Sequence, residues 1–310
     1  MTTKFFSEPP KEIPDLQTLK DVLIFEIIDH FKLQDKSFIS EAIREFGRKP
    51  ALRFAEMMQR FDRLVAEMSI YEAACDVLRR LTGGYSVKQA ELIPHDGPLL
   101  VVANHPGGAD SMAAMASLKR DDQHLLVNER PMLRAMPNAS RHLIYIDEAS
   151  PTKFDIMRRV INLLQNGESV IIFPRGNLEP DPMLYPGALD AIKLWSKSVG
   201  VFLNKVPETI LQPLIISNVV VPQAWQSLLA KMAANNIKRR HQIAMIYQTA
   251  RQLISPKDGW NPIVNISAVK SVTAKELASS LNIDQLNQAL QTYIGEQMLK
   301  EFPDLALASD

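Results

Sequence analysis

The chain of 310 residues is long enough for one large domain or two smaller ones, each with a sizeable core. Its 35 basic and 35 acidic side chains leave no net charge, so the composition gives no reason to expect binding to nucleic acid. The single cysteine, Cys75, excludes an internal disulfide, and no apolar run reaches the roughly 18 residues of a transmembrane helix. We therefore expect a cytoplasmic protein, either soluble or peripherally attached to a membrane.

The first 84 residues predict helices, because their apolar side chains recur at helical spacing. Four such segments follow one another, over residues 15–31, 37–47, 50–68 and 69–84. Gly47 suggests a stop after the second segment, and Pro50 suits the first turn of the third. We expect a small helical bundle or cover over residues 1–84 and a second domain over residues 85–310.

From residue 85 onward, strand-like and helical segments alternate. The predicted strands are "SVKQAELI", "PLLVVAN", "HLLVNE", "HLIYID", "SVIIFP", "ILQPLIISNVV" and "PIVNISAV". Helical patterns include residues 187–199 and a long stretch over 223–254, and two more close the chain. This alternation predicts an α/β fold, with a mixed, largely parallel sheet flanked by helices.

His105 directly follows the predicted strand "PLLVVAN", and Asp110 stands five residues later across Gly107 and Gly108. Open α/β sheets bind ligands beyond the carboxyl ends of their strands. A carboxylate that returns to the imidazole would fix its tautomer, so His105 could act as a general base on a substrate hydroxyl. The alternative is an incidental histidine in a tight turn. A zinc site would need further ligands near this pair.

The strand "SVIIFP" ends in a second loop of similar kind, "RGN". Arg175 and Asn177 in this loop could hold a phosphate or a carboxylate. If both loops lie at one edge of the sheet, they face a single crevice. The joint occurrence of the two loops is more specific than either one alone.

Four segments in this order resemble the glycerol-3-phosphate/lysophospholipid acyltransferase superfamily, the PlsC-like enzymes, over roughly residues 85–220. They are "NHPGGAD", which matches the family's N-H-x4-D block, "RHLIYIDEA", "VIIFPRGN" and "LQPLIIS". The resemblance implies transfer of a fatty acyl group from acyl-CoA or acyl carrier protein to a hydroxyl of a glycerol-phosphate or lysophospholipid-type acceptor. His105 would be the general base and Asp110 would orient it. The implied reaction uses no metal or cofactor beyond the thioester co-substrate.

Two positions depart from the family pattern. Arg175 replaces the acid of the Phe-Pro-Glu-Gly block, and Glu148 stands where an arginine commonly follows Ile-Asp. Two alternatives therefore stay open: the same chemistry on a non-phosphate lipid acceptor, or a non-catalytic lipid-binding relative. The residues expected to contact substrate are Asn104, Gly107, Gly108, Arg175, Gly176, Asn177, Arg130 and Arg141.

Residues 231–254 place Lys238, Arg239, Arg240 and His241 beside an apolar helical face. Such a segment could rest on an anionic membrane or meet an acidic acyl carrier protein. The alternative is an ordinary amphipathic helix whose basic side chains face solvent. The expected partners are thus a lipid acceptor, an acyl thioester donor and, through this segment, a membrane surface or a carrier protein.

Overall fold

The computed structural model describes residue 6 and residues 8–146, 153–257, 259–279 and 282–306. The strands of this part are β1 (Tyr85–Lys88), β2 (Leu99–Ala103), β3 (Gln123–Asn128), β4 (Leu143–Ile146), β5 (Ser169–Ile172), β6 (Ile210–Ser217), β7 (Val264–Ala268) and β8 (Val272–Thr273). They form one sheet in the order β1-β7-β6-β2-β5-β3-β4, and β8 pairs with β6.

The sheet is mixed and largely parallel, which confirms the predicted fold class. Strands β6, β2, β5, β3 and β4 run parallel to one another, whereas β7 and β8 pair antiparallel with β6. β1 pairs parallel with β7. Every residue of β2 and β5 is buried, because helices cover both faces of the sheet; this is why these strands appear in the sequence as continuous apolar runs.

Helices form a layer on each face of the sheet. In the described residues they are α1 (Leu16–His30), α2 (Ser37–Glu67), α3 (Ile70–Leu81), α4 (Asp110–Leu118), α5 (Pro131–Arg134), α6 (Lys153–Gln165), α7 (Ala188–Ile192), α8 (Ser198–Lys205), α9 (Pro222–Trp225), α10 (Leu228–Lys231), α11 (Ile237–Ile254), α12 (Ala274–Leu277) and α13 (Ile283–Glu301). The first four, with α9 to α11, share one hydrophobic cluster with the sheet. A second cluster joins the other face to α6, α7, α8, α12 and α13.

α2 is a single helix, so the two short helices predicted around Gly47 and Pro50 are wrong. Proline removes one hydrogen bond and usually bends or breaks a helix. Here, however, Ile43 before the proline and Ala51 after it pack into the same small cluster with Ile24 and Ile28 of α1. Contacts on both sides of Pro50 thus keep α2 continuous. Elsewhere the single helical stretches predicted over 187–199 and 223–254 are divided into two and three helices respectively.

The N-terminal helices bind loops of the sheet region through two carboxylates. Oε1 of Glu26 accepts a hydrogen bond from the backbone N–H of Met132 at 2.6 Å. Oδ1 of Asp62 accepts from the N–H groups of Asn138 and Ala139, each at 2.9 Å. These helices therefore share both a core and specific polar contacts with the sheet region; the domain boundary at residue 84 stays a prediction.

Within the described ranges, none of the helices combines the length and apolar character needed to cross a bilayer.

Candidate active site

The candidate site lies at the edge of the sheet where parallel strands end. His105 follows β2, Arg175 follows β5 and Arg130 follows β3, and these strands are neighbours in the sheet. Strands lie about 4.8 Å apart, so their end loops form one surface. Arg141 instead precedes β4 and is exposed at the opposite, amino-terminal edge, so its predicted substrate contact is not supported by the geometry. Glu148 lies outside the described residues.

The predicted His105–Asp110 pair is formed. Nδ1 of His105 lies 2.8 Å from Oδ2 of Asp110, and that same oxygen accepts from the backbone N–H of Gly107 at 2.6 Å. Asp110 is the first residue of α4, where the helix dipole favours a negative charge, and its side chain is only 1% exposed. The carboxylate is thus fixed in position and directed at Nδ1.

This contact determines which ring nitrogen is available for chemistry. An ionised carboxylate only accepts hydrogen bonds, so Nδ1 carries the proton and Nε2 keeps a free electron pair. Burial lowers the pKa of His105, but the charge and hydrogen bond of Asp110, with the charge of Glu179, outweigh it and raise the pKa overall. For Asp110, burial raises the pKa, while His105 and the Gly107 N–H lower it more. The imidazole is 27% exposed, so substrate can reach it.

The loop between His105 and Asp110 requires its glycines. Gly107 and Gly108 adopt φ of 85° and 64°, in the left-handed region that side chains rarely occupy. A Cβ on Gly107 would also lie 2.7 Å from Cδ2 of Leu178 and 2.8 Å from Sδ of Met245. The two glycines shape the turn that returns Asp110 to the imidazole.

A second histidine, His241, which the sequence pattern grouped with the basic residues of a surface segment, is buried and supports this loop. His241 on α11 is 1% exposed; its Nε2 lies 2.7 Å from the carbonyl oxygen of Pro106, and its Nδ1 lies 2.6 Å from the hydroxyl of Tyr185. Burial lowers the pKa of His241 and keeps the ring neutral. The charged neighbours Lys238, Arg239 and Arg240 favour a solvent-exposed position for His241. The only sequence signal for burial is that His241 lies three residues before apolar Ala244, on the same face of the helix.

Glu179 is the other residue missed. Its Oε2 accepts from the backbone N–H of His105 at 2.6 Å, and its own N–H donates to the His105 carbonyl at 2.8 Å. Oε1 accepts from Nε1 of Trp195 at 2.8 Å. Glu179 is 2% exposed, and burial raises its pKa to about 7. The sequence signal was an acid four residues after Arg175, in a loop already selected.

Asn104 serves the strand rather than the crevice. Its Nδ2 donates to the carbonyl of Ile216 at 2.8 Å, and its Oδ1 accepts from the N–H of the same residue at 2.7 Å. The side-chain amide thereby continues the β2–β6 ladder beyond Ala103, and it is 2% exposed. Asn104 thus fixes the point at which His105 leaves the sheet.

The loop after β5 presents the remaining predicted residues. The ring of Phe173 stacks on His105 with centroids 4.5 Å apart, and Gly176 closes a turn onto the Phe173 carbonyl with φ of 64°. Oδ1 of Asn177 accepts from Nζ of Lys238 at 2.9 Å. Arg175 is half-buried, and across the described residues its guanidinium makes no hydrogen bond or ion pair. Arg175 is therefore available to an anion.

Arg130 borders a cavity of about 160 Å³ between α1 and α11. The cavity is lined by Leu23, Glu26, Ile27, His30, Phe31, Arg130 and Ile246. Within the described ranges the Arg130 guanidinium also has no hydrogen-bonded partner. A larger cavity, about 580 Å³, lies between α12 and α13 and contains none of the predicted site residues, so we do not assign the chemistry to it.

Residues 85–217 match the Acyltransferase family model, a range that runs from β1 to β6 and contains both loops. Together with the sheet and the His–Asp pair at its edge, this match defines the protein as an acyltransferase. The matched region belongs to the Acyltransferase family, which confirms the PlsC-like superfamily that the motifs predicted. A search of curated protein sequences gave no match.

Among solved structures, the chain is similar to the 1-acyl-sn-glycerophosphate (LPA) acyltransferase PlsC from Thermotoga maritima. The two share 17% sequence identity, the match covers 94% of this chain and 97% of that chain, and the TM-score is 0.41.

Proposed function

We propose that this acyltransferase moves a fatty acyl group from a thioester to a hydroxyl of a glycerol-phosphate or lysophospholipid-type acceptor. The observation that carries the proposal is the His105–Asp110 pair, at the same edge of the sheet as the uncommitted guanidinium groups of Arg175 and Arg130. A base lies beside groups able to hold an anion, as acylation of a phosphate-bearing alcohol requires.

In the proposed reaction Nε2 of His105 takes the proton of the acceptor hydroxyl as its oxygen attacks the thioester carbonyl. The Asp110 carboxylate stabilises the imidazolium that forms. Collapse of the tetrahedral intermediate breaks the carbon–sulfur bond, and His105 returns the proton to the leaving thiolate. The products are an ester and a free thiol, with no acyl-enzyme.

Arg175 and Arg130 are proposed to bind the acceptor phosphate. Arginine holds phosphate oxygens through paired N–H donors, and a charged hydrogen bond of this kind contributes about 1.5–3 kcal/mol. Arg175 thus gives a positive charge to a loop that carries an acid in the family pattern. Gly107, Gly108, Gly176 and Asn177 shape the two loops around the acceptor.

The test measures thioester turnover with glycerol 3-phosphate, a lysophosphatidic acid and an uncharged monoacylglycerol as acceptors, and with acyl-CoA and acyl-carrier-protein donors. Arg175→Ala and Arg130→Ala should each raise KM for the phosphate acceptors about tenfold or more. Arg141→Ala, at the opposite edge, is the matched control and should leave KM unchanged.

Preference for the uncharged acceptor, with unchanged KM in Arg175→Ala, would favour the non-phosphate alternative. Absence of turnover with every combination of donor and acceptor, in a protein that still binds lipid, would favour the non-catalytic lipid-binding alternative.

We also propose peripheral attachment to an anionic membrane, through α10 and the first turn of α11. His241 and Ala244 of α11 are buried, so most of its apolar face is not available. Leu228 and Met232, each 83% exposed, lie on α10 and directly after it, and Ile237, 57% exposed, directly precedes exposed Lys238 and Arg239 on α11. Exposed apolar side chains flanked by cations are typical of membrane-surface contacts.

Co-sedimentation with anionic and with neutral vesicles tests this attachment. The double variant Leu228→Ser/Met232→Ser should lose binding to anionic vesicles. The variant Lys238→Gln/Arg239→Gln should show weaker binding that depends less on salt. Unchanged vesicle binding in both variants would refute the membrane proposal. If the variants instead lose turnover only with the acyl-carrier-protein donor, the segment binds the carrier protein.

A further inference from the structure

Glu179 and His105 hold each other across the two loops of the site. The backbone N–H of His105 donates to Oε2 of Glu179 at 2.6 Å, and the backbone N–H of Glu179 donates to the carbonyl oxygen of His105 at 2.8 Å. The second carboxylate oxygen accepts from the indole of Trp195. Both oxygens are thus used by neutral donors, and in the described part of the chain Glu179 forms no ion pair at contact distance.

This environment is costly for a carboxylate. A charged group at 2% exposure without a contacting cation loses hydration that two neutral donors only partly replace. A neutral acceptor on each donor would meet the same hydrogen-bonding needs. The two hydrogen bonds therefore do not explain why this residue is an acid. In the proposed reaction the imidazole of His105 gains a positive charge, and it is the nearest group that a negative charge on Glu179 can stabilise.

We propose that Glu179 is a positioning residue for the general base, which holds the main chain of His105 and stabilises its imidazolium. This inference rests on the proposed function of His105. Carboxylates in a poorly hydrated site act on a developing charge more strongly than they would in water. Because Arg175 replaces the family's acid, Glu179 is the acid that this loop brings to His105.

Four charged or titratable groups surround the imidazole. Asp110 is in direct contact with it, Glu179 lies behind its main chain, and Arg175 lies close enough to Glu179 to favour its ionised form. His241, across Pro106, stays neutral because burial lowers its pKa. With its pKa at about 7, Glu179 is mostly ionised at pH 8.

The experiment separates the charge of Glu179 from its hydrogen bonds. In Glu179→Gln alone, the amide can accept from only one of its two donors. Trp195→Phe removes the indole donor, so the double variant Glu179→Gln/Trp195→Phe keeps an acceptor for the His105 N–H without the charge. Trp195→Phe is the matched control. The readouts are the His105 pKa by NMR titration of its ring and the pH profile of kcat/KM.

Relative to Trp195→Phe, the double variant should show a lower His105 pKa, an acidic limb moved to lower pH, and kcat lowered about tenfold with acceptor KM unchanged. An unchanged His105 pKa in a folded double variant would overturn the proposal. If that variant does not fold, the wild type suffices: the Glu179 carboxyl resonance must shift as His105 titrates, and no shift would overturn the proposal.

The NMR readout is independent of turnover. A lowered His105 pKa in a protein that acylates no acceptor would refute the proposed function and leave the positioning role intact. Normal turnover by the wild type, with an unchanged His105 pKa in the double variant, would support the proposed function and refute the positioning role of Glu179.

Discussion

Nε2 of His241 donates to the carbonyl oxygen of Pro106 at 2.7 Å, although the two residues are 135 positions apart in the chain. The same ring accepts from the Tyr185 hydroxyl through Nδ1 at 2.6 Å. α11 therefore fixes the peptide that directly follows the proposed base. The position of His105 depends on contacts from three separate parts of the chain: Asp110, Glu179 and His241.

Replacement of His241 by phenylalanine should impair both stability and rate. His241→Phe keeps an aromatic ring but leaves the buried Pro106 carbonyl and the half-buried Tyr185 hydroxyl without that partner, at a cost of about 2–3 kcal/mol. We expect kcat to fall at least about tenfold, because the loop is no longer fixed. Denaturant unfolding and steady-state kinetics measure the two effects. Tyr185→Phe, which leaves the bond to Pro106, should keep most of kcat; an unaltered kcat in His241→Phe would contradict the assignment.

Gly107 and Gly167 form a matched pair that distinguishes backbone strain from steric contact. Their φ angles are 85° and 83°, but a Cβ on Gly167 has no atom within 4 Å, whereas one on Gly107 meets Leu178 and Met245. Gly167→Ala should cost about 1 kcal/mol and leave turnover unchanged. Gly107→Ala should cost more and abolish most turnover. Equal kinetics in the two variants would show that the packing of Gly107 has no functional role.

Glu26 should make the protein less stable as pH rises. Burial raises its pKa from 4.5 to about 7, so the folded state binds the proton more tightly than the unfolded state does. Stability from this group is present below pH 4.5 and is lost as pH rises towards 7. Glu26→Gln can still accept from the Met132 N–H and should be more stable than wild type at pH 8, by roughly 1–3 kcal/mol, but not at pH 4.5.

Thermal unfolding from pH 4.5 to pH 8 measures the Glu26 effect. Glu41→Gln, on the exposed surface of α2, is the control and should follow the wild-type curve. A constant difference between Glu26→Gln and wild type across this range would be inconsistent with the raised pKa.

The parts of the site predicted from sequence are those encoded locally. The apolar run of β2, the turn at Gly107 and Gly108, and the five-residue spacing place Asp110 beside His105 without reference to the rest of the chain. Arg175 was likewise found from the end of β5. Arg141 directly precedes a predicted strand, so the carboxyl-end rule alone already indicates the far edge for it, where the structure places it.

Glu179 and His241 could not be found in the same way, because their roles depend on contacts that sequence periodicity does not encode. Glu179 reaches His105 only after its loop folds back over β2. His241 requires α11 to lie on that loop rather than on solvent, which its basic neighbours argued against. Pro50 shows the same limit for the fold, since packing on α1 overrode a local helix-breaking signal.

The Asp110 contact should be visible in the pH dependence of turnover. Its charge and hydrogen bond raise the pKa of His105 above 6.5 against the opposing effect of burial. Because the neutral imidazole is the base, kcat/KM should fall as pH decreases through that pKa. Asp110→Asn removes the charge, so the acidic limb should move to lower pH while kcat falls at least about a hundredfold. If the acidic limb of the kcat/KM profile lies at the same pH in Asp110→Asn as in wild type, a group other than His105 controls that limb.

The central claim is that His105 removes the proton from the acceptor hydroxyl. The most direct measurement is thioester turnover at pH 8, in the presence of acceptor, by wild type, His105→Ala and the control His95→Ala, whose histidine is exposed outside the site. We predict that His105→Ala loses at least about a hundredfold in kcat, with folding intact and His95→Ala unaffected. Acceptor-dependent turnover that persists in His105→Ala at the wild-type rate would contradict the mechanism.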